Sequence, residues 1–349
     1  FESSRMAEIS TNFPERPKWV PDSEASSCFG CSRGFTWLIR KHHCRGCGNV
    51  FCGKCNEHYL MLPVEKFGYP DPQKCCEACW IKWNALDFST KTAALGDPNN
   101  PALLFIHGSC LNRSVWKYQM ESLSSRFYCV ALDLPQHGAR YKEKINADSV
   151  AAAIEEAMIS LPHQKAVLVG WGMGAIAALR YAASHPDNVP GLFLGGCCME
   201  TYNDVSSDLF SGTLEAVLNV TPTATLLEAL PSRYPEIPRS VWDDTLFRTG
   251  FHAEAYTNCI RFMREPSKEY FVSLIKSYGG PIQLVNGESD FRVAEQKFID
   301  ACQKGKLYIV PRGSHLCFLE SRNSLVVSDL LKEFASAQFQ HSDMNAVQF

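Results

Sequence analysis

The sequence predicts a multidomain chain: a small cysteine-rich module, then a doubly wound α/β domain with a mostly parallel sheet and a helical cap. Three observations carry this. The 349 residues exceed what one average core organises. Eight of the sixteen cysteines fall into four C-x-x-C pairs near the amino terminus. Beyond them, strand-length apolar runs alternate with helical patterns, which implies parallel strands joined by crossover helices.

Composition narrows the function classes. With 46% hydrophobic and 20% charged residues, most of the chain can fold as globular protein. Residues 1–84 hold 11 basic and 9 acidic side chains, a net +2, and the remainder carries 23 and 28, a net −5. Neither part is basic enough for bulk nucleic-acid binding. No apolar run reaches the ~20 residues of a membrane span, and no signal-peptide core is visible. The cysteines therefore read as metal ligands in a reducing, cytoplasmic setting rather than as disulfides.

The module takes residues 18–84, after a polar segment 1–17 expected to be disordered. Its cysteines run Cys28-x2-Cys31-x12-Cys44-x2-Cys47-x4-Cys52-x2-Cys55-x20-Cys76-x2-Cys79. Each pair offers two thiolates to one tetrahedral ion, so eight sulfurs make two closed, structural zinc sites. Metal then replaces core that so short a unit cannot build. Cys75 is left over, since only Cys76 has the two-residue spacing to Cys79.

Between these pairs stand Arg40-Lys41-His42-His43-Cys44-Arg45-x-Cys47-Gly48, and before them Trp19-x-x-Asp22. Both stretches resemble the signature of FYVE zinc fingers, over the whole unit. The resemblance implies interleaved ligation, the first and third pairs on one zinc and the second and fourth on the other. It also implies a pocket for phosphatidylinositol 3-phosphate. There Arg40, Lys41, His42, His43 and Arg45 offer donors to phosphate, and Asp22 accepts from inositol hydroxyls beside Trp19. Lys74 stands where the family usually has Arg, keeping the charge but losing the bidentate fork. Trp37 and Leu38 fall on the family's membrane-inserting loop. The implied location is cytoplasmic and peripheral, on early endosomes or another membrane bearing that lipid.

Residues 85–101 read as a linker that can add an edge strand. The second domain takes 102–337. Strands are predicted at 102–106, 127–132, 166–169, 191–195, 281–286 and 306–310. Helices are predicted at 115–123, 149–159, 174–184 and 325–334. Residues about 200–275 break the rhythm as a helical cap, and 338–349 read as a loose tail.

Four landmarks follow in order: His107-Gly108 after the first strand, Asp133-Leu-Pro-Gln-His137-Gly138 after the next, Gly170-Trp171-Gly172-Met173-Gly174 at a strand-to-helix elbow, and then Asp290 and His315. Together they resemble an α/β hydrolase, whose triad runs nucleophile, acid, histidine. The resemblance makes Asp290 and His315 acid and histidine, Ser109 and Met173 the oxyanion-hole residues, and residue 172 the nucleophile. Here that residue is glycine, which has no oxygen to attack a carbonyl. The expected protein is a zinc-bound peripheral membrane protein whose hydrolase-like domain is a vestigial pseudoenzyme. The alternative is a membrane-recruited lipid or ester hydrolase whose nucleophile is replaced. Expected partners are the phosphoinositide, an apolar acyl-like ligand in the cleft, and a second copy or protein partner for avidity; nucleic acid is not expected.

Overall fold

The computed structural model describes residues 16–60, 62, 64–69, 73–83, 90–196, 229, 231–245, 253–264, 268–290 and 294–346. They form two compact units, Phe1–Phe88 and Ser89–Phe349.

In the first unit every element is short. Strand β1 (His42–His43) pairs antiparallel with β2 (Val50–Phe51), and β3 (His58–Leu60) with β4 (Gln73–Cys75). Helix α1 (Val64–Phe67) and helix α2 (Glu77–Trp83) complete it. Leu60, Leu62, Phe67 and Trp80 are fully buried, but the other interior places belong mostly to cysteines. Two-residue strands have too few ladder bonds to stand alone, so the sulfur sites fix their geometry.

The second unit is built on one seven-stranded sheet of order β11-β10-β9-β8-β6-β7-β5. Strand β5 (Thr92–Leu95) lies antiparallel on β7 (Tyr128–Leu132). The other neighbours pair in parallel: β6 (Ala102–Ile106), β7, β8 (Ala166–Trp171), β9 (Leu192–Gly195), β10 (Ile282–Gly287) and β11 (Gly305–Val310). Every residue of β6 and β8 is buried, as strands covered on both faces must be. Helix α3 (Lys117–Leu123), helix α4 (Ala147–Ile159) and helix α5 (Met173–Ser184) follow their strands. Asn146 starts α4 with a capping box, its side chain accepting from Ser149 N–H at 2.8 Å.

About half of the expected cap lies outside the described residues. Within its range stand α6 (Arg239–Asp244), α7 (Ala253–Arg264) and α8 (Lys268–Tyr278). Phe271 and Ile275 of α8 share one apolar cluster with Ile176 and Leu179 of α5, so α8 belongs to the layer on the sheet. Two elements differ from the sequence reading. Helix α9 (Ala294–Ala301) was not expected. The closing helix α10 (Ser324–Ala346) runs on through most of what reads as a tail from 338. Its apolar stripe continues one turn past Phe334, which meets Phe193, to Phe339, whose ring lies 6.3 Å from that of Phe127.

The start of α5 packs directly on the end of β6. A Cβ at Gly174 would run into the carbonyl oxygens of Ile106 and His107, and one at Gly170 would lie 2.5 Å from the Gly174 carbonyl oxygen. Backbone cannot yield as a side-chain tip can. Gly174→Ala is therefore expected to cost about 1–3 kcal/mol, with Tm of the second unit falling roughly 2–4 °C per kcal/mol. Thermal unfolding followed by circular dichroism checks this; an unchanged Tm contradicts the packing.

Candidate functional site

In the first unit the eight sulfurs gather into two tetrads, Cys28/Cys31/Cys52/Cys55 and Cys44/Cys47/Cys76/Cys79, each with all ligand atoms within 4.8 Å of one another. The pairs interleave as the resemblance implies. The sulfurs of Cys31 and Cys52 are 3.8 Å apart, and those of Cys47 and Cys76 4.0 Å apart. A tetrahedron with ~2.3 Å zinc–sulfur bonds has edges of about 3.8 Å, so the donor sets fit zinc. Backbone N–H groups support the thiolates: Cys52 donates to Cys28 Sγ at 3.2 Å and Cys76 to Cys44 Sγ at 3.3 Å. Cys75 is fully buried and outside both sets. A strong chelator is expected to release two zinc ions per chain and unfold residues 18–84, while Cys44→Ser lowers the content to one. Metal analysis by mass spectrometry of the intact chain checks both; full content after Cys44→Ser contradicts the assignment.

Strand β1 carries the basic motif and is clasped by the segment before it. Trp19 stacks on His43 at 4.5 Å, and Arg45 lies over the Trp19 ring at 5.1 Å. His43 Nε2 contacts the Val20 carbonyl at 2.8 Å and stands 3.7 Å from an Asp22 carboxylate oxygen. Lys41 donates to the Asp22 carbonyl, and Arg45 to the His43 carbonyl at 2.6 Å. Arg45 N–H also donates to the Lys74 carbonyl at 3.1 Å, bringing β4 to the same face. Partial burial first, then the charges of Lys74, Arg45 and Arg40, push the His42 pKa down. Arg40 is exposed. So are Trp37 and Leu38, at 83% and 72%, in a loop whose amides of residues 38 and 39 donate to Thr36 Oγ1.

In the second unit the landmarks converge at the carboxyl ends of the strands. Gly172 follows β8 with φ +53° and ψ −118°, a turn that side chains strain to adopt. His315 Nδ1 lies 3.0 Å from both oxygens of Asp290, which is almost fully buried. The far nitrogen, His315 Nε2, faces residue 172: it would lie 3.8 Å from a Cβ built there, and among the described residues beyond the chain neighbours no other atom comes within 4 Å. A Cβ at Gly108 would lie 3.1 Å from the Trp171 carbonyl oxygen, so the loop carrying Ser109 lies against the elbow. Among the described residues the N–H groups of Ser109 and Met173 meet no backbone acceptor.

Buried imidazoles hold that loop. His107 donates from Nδ1 to the Gly108 carbonyl at 2.8 Å, and its Nε2 accepts from Leu134 N–H at 3.0 Å. Burial first, then Arg113, pushes its pKa down to about 4, which keeps it neutral. His137 accepts at Nε2 from Cys110 N–H at 3.1 Å, with Cys110 at φ +64°. Asp133 accepts from Arg113 and from Ala139 N–H, tying the turn after β7. Sequence reasoning missed Trp171 and Gly196. Trp171 Nε1 donates to the His315 carbonyl at 2.7 Å, and a Cβ at Gly196 would lie 2.7 Å from His315 Cε1. The Gly195-Gly196 pair ending β9 was the available signal.

Comparison with known proteins agrees with both units. The family profile of the FYVE zinc finger matches residues 18–85, and that of the alpha/beta hydrolase family matches 103–329. The human FYVE and coiled-coil domain-containing protein 1 is 34% identical over 107 residues, covering 30% of this chain and 7% of its own length. The Brugia malayi lateral signaling target protein 2 homolog is 32% identical over 104 residues, covering 30% of this chain and 16% of its own. The chain thus spans less than a fifth of the length of these relatives. Among solved structures, MenH from S. aureus superposes with TM-score 0.59 at 14% identity, covering 71% of this chain and 99% of its own. The thioesterase domain from the curacin biosynthetic pathway gives 0.56 at 20%, covering 69% and 94%. At such identities the likeness is one of fold. The chain belongs to the alpha/beta hydrolase family and carries a FYVE zinc finger at its amino-terminal end.

Proposed function

We propose that the finger docks the chain on phosphatidylinositol 3-phosphate at the cytoplasmic face of endosomal membrane, and that the second unit is silent as an acyl hydrolase. The observation that carries the docking is the clasp of the Trp19–Asp22 segment on β1. It holds carboxylate, imidazoles and guanidinium groups on one face, as a ligand with phosphate and hydroxyls together requires. Arg40, Lys41, His42, His43 and Arg45 take the phosphates, joined by Lys74, and Asp22 takes the inositol. Exposed Trp37 and Leu38 enter the bilayer, each contributing ~1.5–3 kcal/mol on full burial. Trp also suits the interface. Among the described residues no helix is long and apolar enough to cross a membrane. One finger holds weakly, and a second copy or a protein partner supplies avidity.

Silence of the second unit follows from Gly172. Asp290 and His315 keep the contact that a base needs, but no hydroxyl stands at the elbow. Removing a triad nucleophile lowers turnover by about 10⁶-fold.

Vesicle co-sedimentation tests the docking. Vesicles with phosphatidylinositol 3-phosphate are expected to bind the chain, and those with the 4-phosphate isomer to leave it in solution. Arg40→Ala should weaken binding tenfold or more, about 1.4 kcal/mol. Lys74→Arg should strengthen it severalfold by restoring a planar fork. Equal binding to both lipids with two zinc ions still in place would defeat this reading.

A further inference from the structure

We propose that the cleft of the second unit is a receptor site for a carboxylate, seated where a nucleophile's hydroxymethyl group would otherwise stand. The proposal rests on reading residue 172 as a silenced nucleophile position.

Three polar groups converge there without partners among the described residues. His315 Nε2 faces the space beside Gly172, 3.8 Å from a Cβ built there, and among the described residues beyond its chain neighbours no other atom comes within 4 Å. Met173 N–H opens α5 directly after Gly172, the loop that carries Ser109 rests against the Trp171 carbonyl, and among the described residues neither amide meets a backbone acceptor. Two amides on one side and an imidazole nitrogen on the other ask for a ligand with two oxygens on one carbon. One oxygen accepts from the two amides. The other shares a single proton with His315 Nε2, as carboxylate on imidazolium or carboxylic acid on imidazole. The second contact is balanced by Asp290, which fixes Nδ1–H from the far side at 3.0 Å.

The missing side chain is what makes room. A serine Cβ and Oγ here would occupy the place of the second oxygen and take His315 Nε2 for themselves. A hydrolase must also shed its carboxylate product, whereas a glycine elbow has no such demand. An alcohol offers only one oxygen, and an ester has neither a proton nor a charge to share with the ring. Both should therefore be poor ligands. Beside Ser109 stands an apolar side chain, Met263 of α7, whose sulfur lies 3.9 Å from the Ser109 hydroxyl. The ligand class is thus a monocarboxylic acid with an apolar tail.

Acetate, butyrate and octanoate are the probes, with 1-butanol and methyl butyrate as controls. The readouts are long-range proton–nitrogen spectra of the His315 ring, assigned with His315→Asn, and titration calorimetry of the full chain. Carboxylates should shift the ring signals and bind at least tenfold more tightly than either control. Gly172→Ser should weaken them tenfold or more while its thermal unfolding stays intact. If no probe shifts the ring at 20 mM (roughly the weakest affinity worth calling binding, about −2.3 kcal/mol), the proposal fails. It also fails if butanol or methyl butyrate binds as well as butyrate, or if Gly172→Ser binds carboxylates equally. Turnover of p-nitrophenyl butyrate by the unmodified chain would instead defeat the silent reading, and the ring shifts would still decide the carboxylate question.

Discussion

Residue 172 has to turn the chain from β8 into α5 at φ +53°, and the turn closes only because Gly170 and Gly174 let backbone meet backbone. The rest of the cleft is arranged around that crossing. β8 lies between β6 and β9 in the sheet. The Gly108 loop rests on the carbonyl of Trp171, and the Trp171 indole in turn holds the carbonyl of His315. A glycine at the centre relieves the strain that any side chain would bring, so the elbow can persist without a side chain there. The surrounding parts have stayed in register all the same. Asp290 still orients His315, Gly196 still leaves room for its ring, and two buried histidines still hold the loop before it.

The first unit reaches rigidity by another route. Its strands are two or three residues long, and its interior is sulfur as much as hydrocarbon. Closed four-thiolate sites supply the folding energy that apolar area cannot. Because the basic strand β1 ends one residue before Cys44, the ion that holds the fold also fixes the position of the cationic face. The cationic face and the fold are therefore linked here: whatever removes metal also removes that face.

Much of this is legible in the sequence because the decisive signals are local. C-x-x-C spacing, the Arg40–Arg45 run and the G-x-G-x-G elbow each sit within a few residues, and the structure brings the corresponding groups together. The length of α10 is only partly legible: Phe339 continues the stripe of Phe334, yet the polar residues around it read as a tail. Long-range placement was not legible. Nothing in the residues around Lys91 says that Thr92–Leu95 runs antiparallel on β7. Helix α8 reads as cap because it falls in the irregular stretch, and only its packing on α5 reveals its layer. The role of Trp171 depends on a contact across 144 positions, beyond any periodicity.

The central claim is that the second unit keeps a complete catalytic frame and lacks one oxygen. Covalent labelling with a fluorophosphonate probe, read by intact mass and peptide mapping, tests it most directly. The unmodified chain should take no label. Gly172→Ser should take one, on the introduced serine, and the Gly172→Ser, His315→Ala double variant should lose it. Failure of a folded Gly172→Ser protein to react would mean that the frame has drifted beyond repair. Labelling of the unmodified chain would mean that a different nucleophile is at work, and either result would contradict the account.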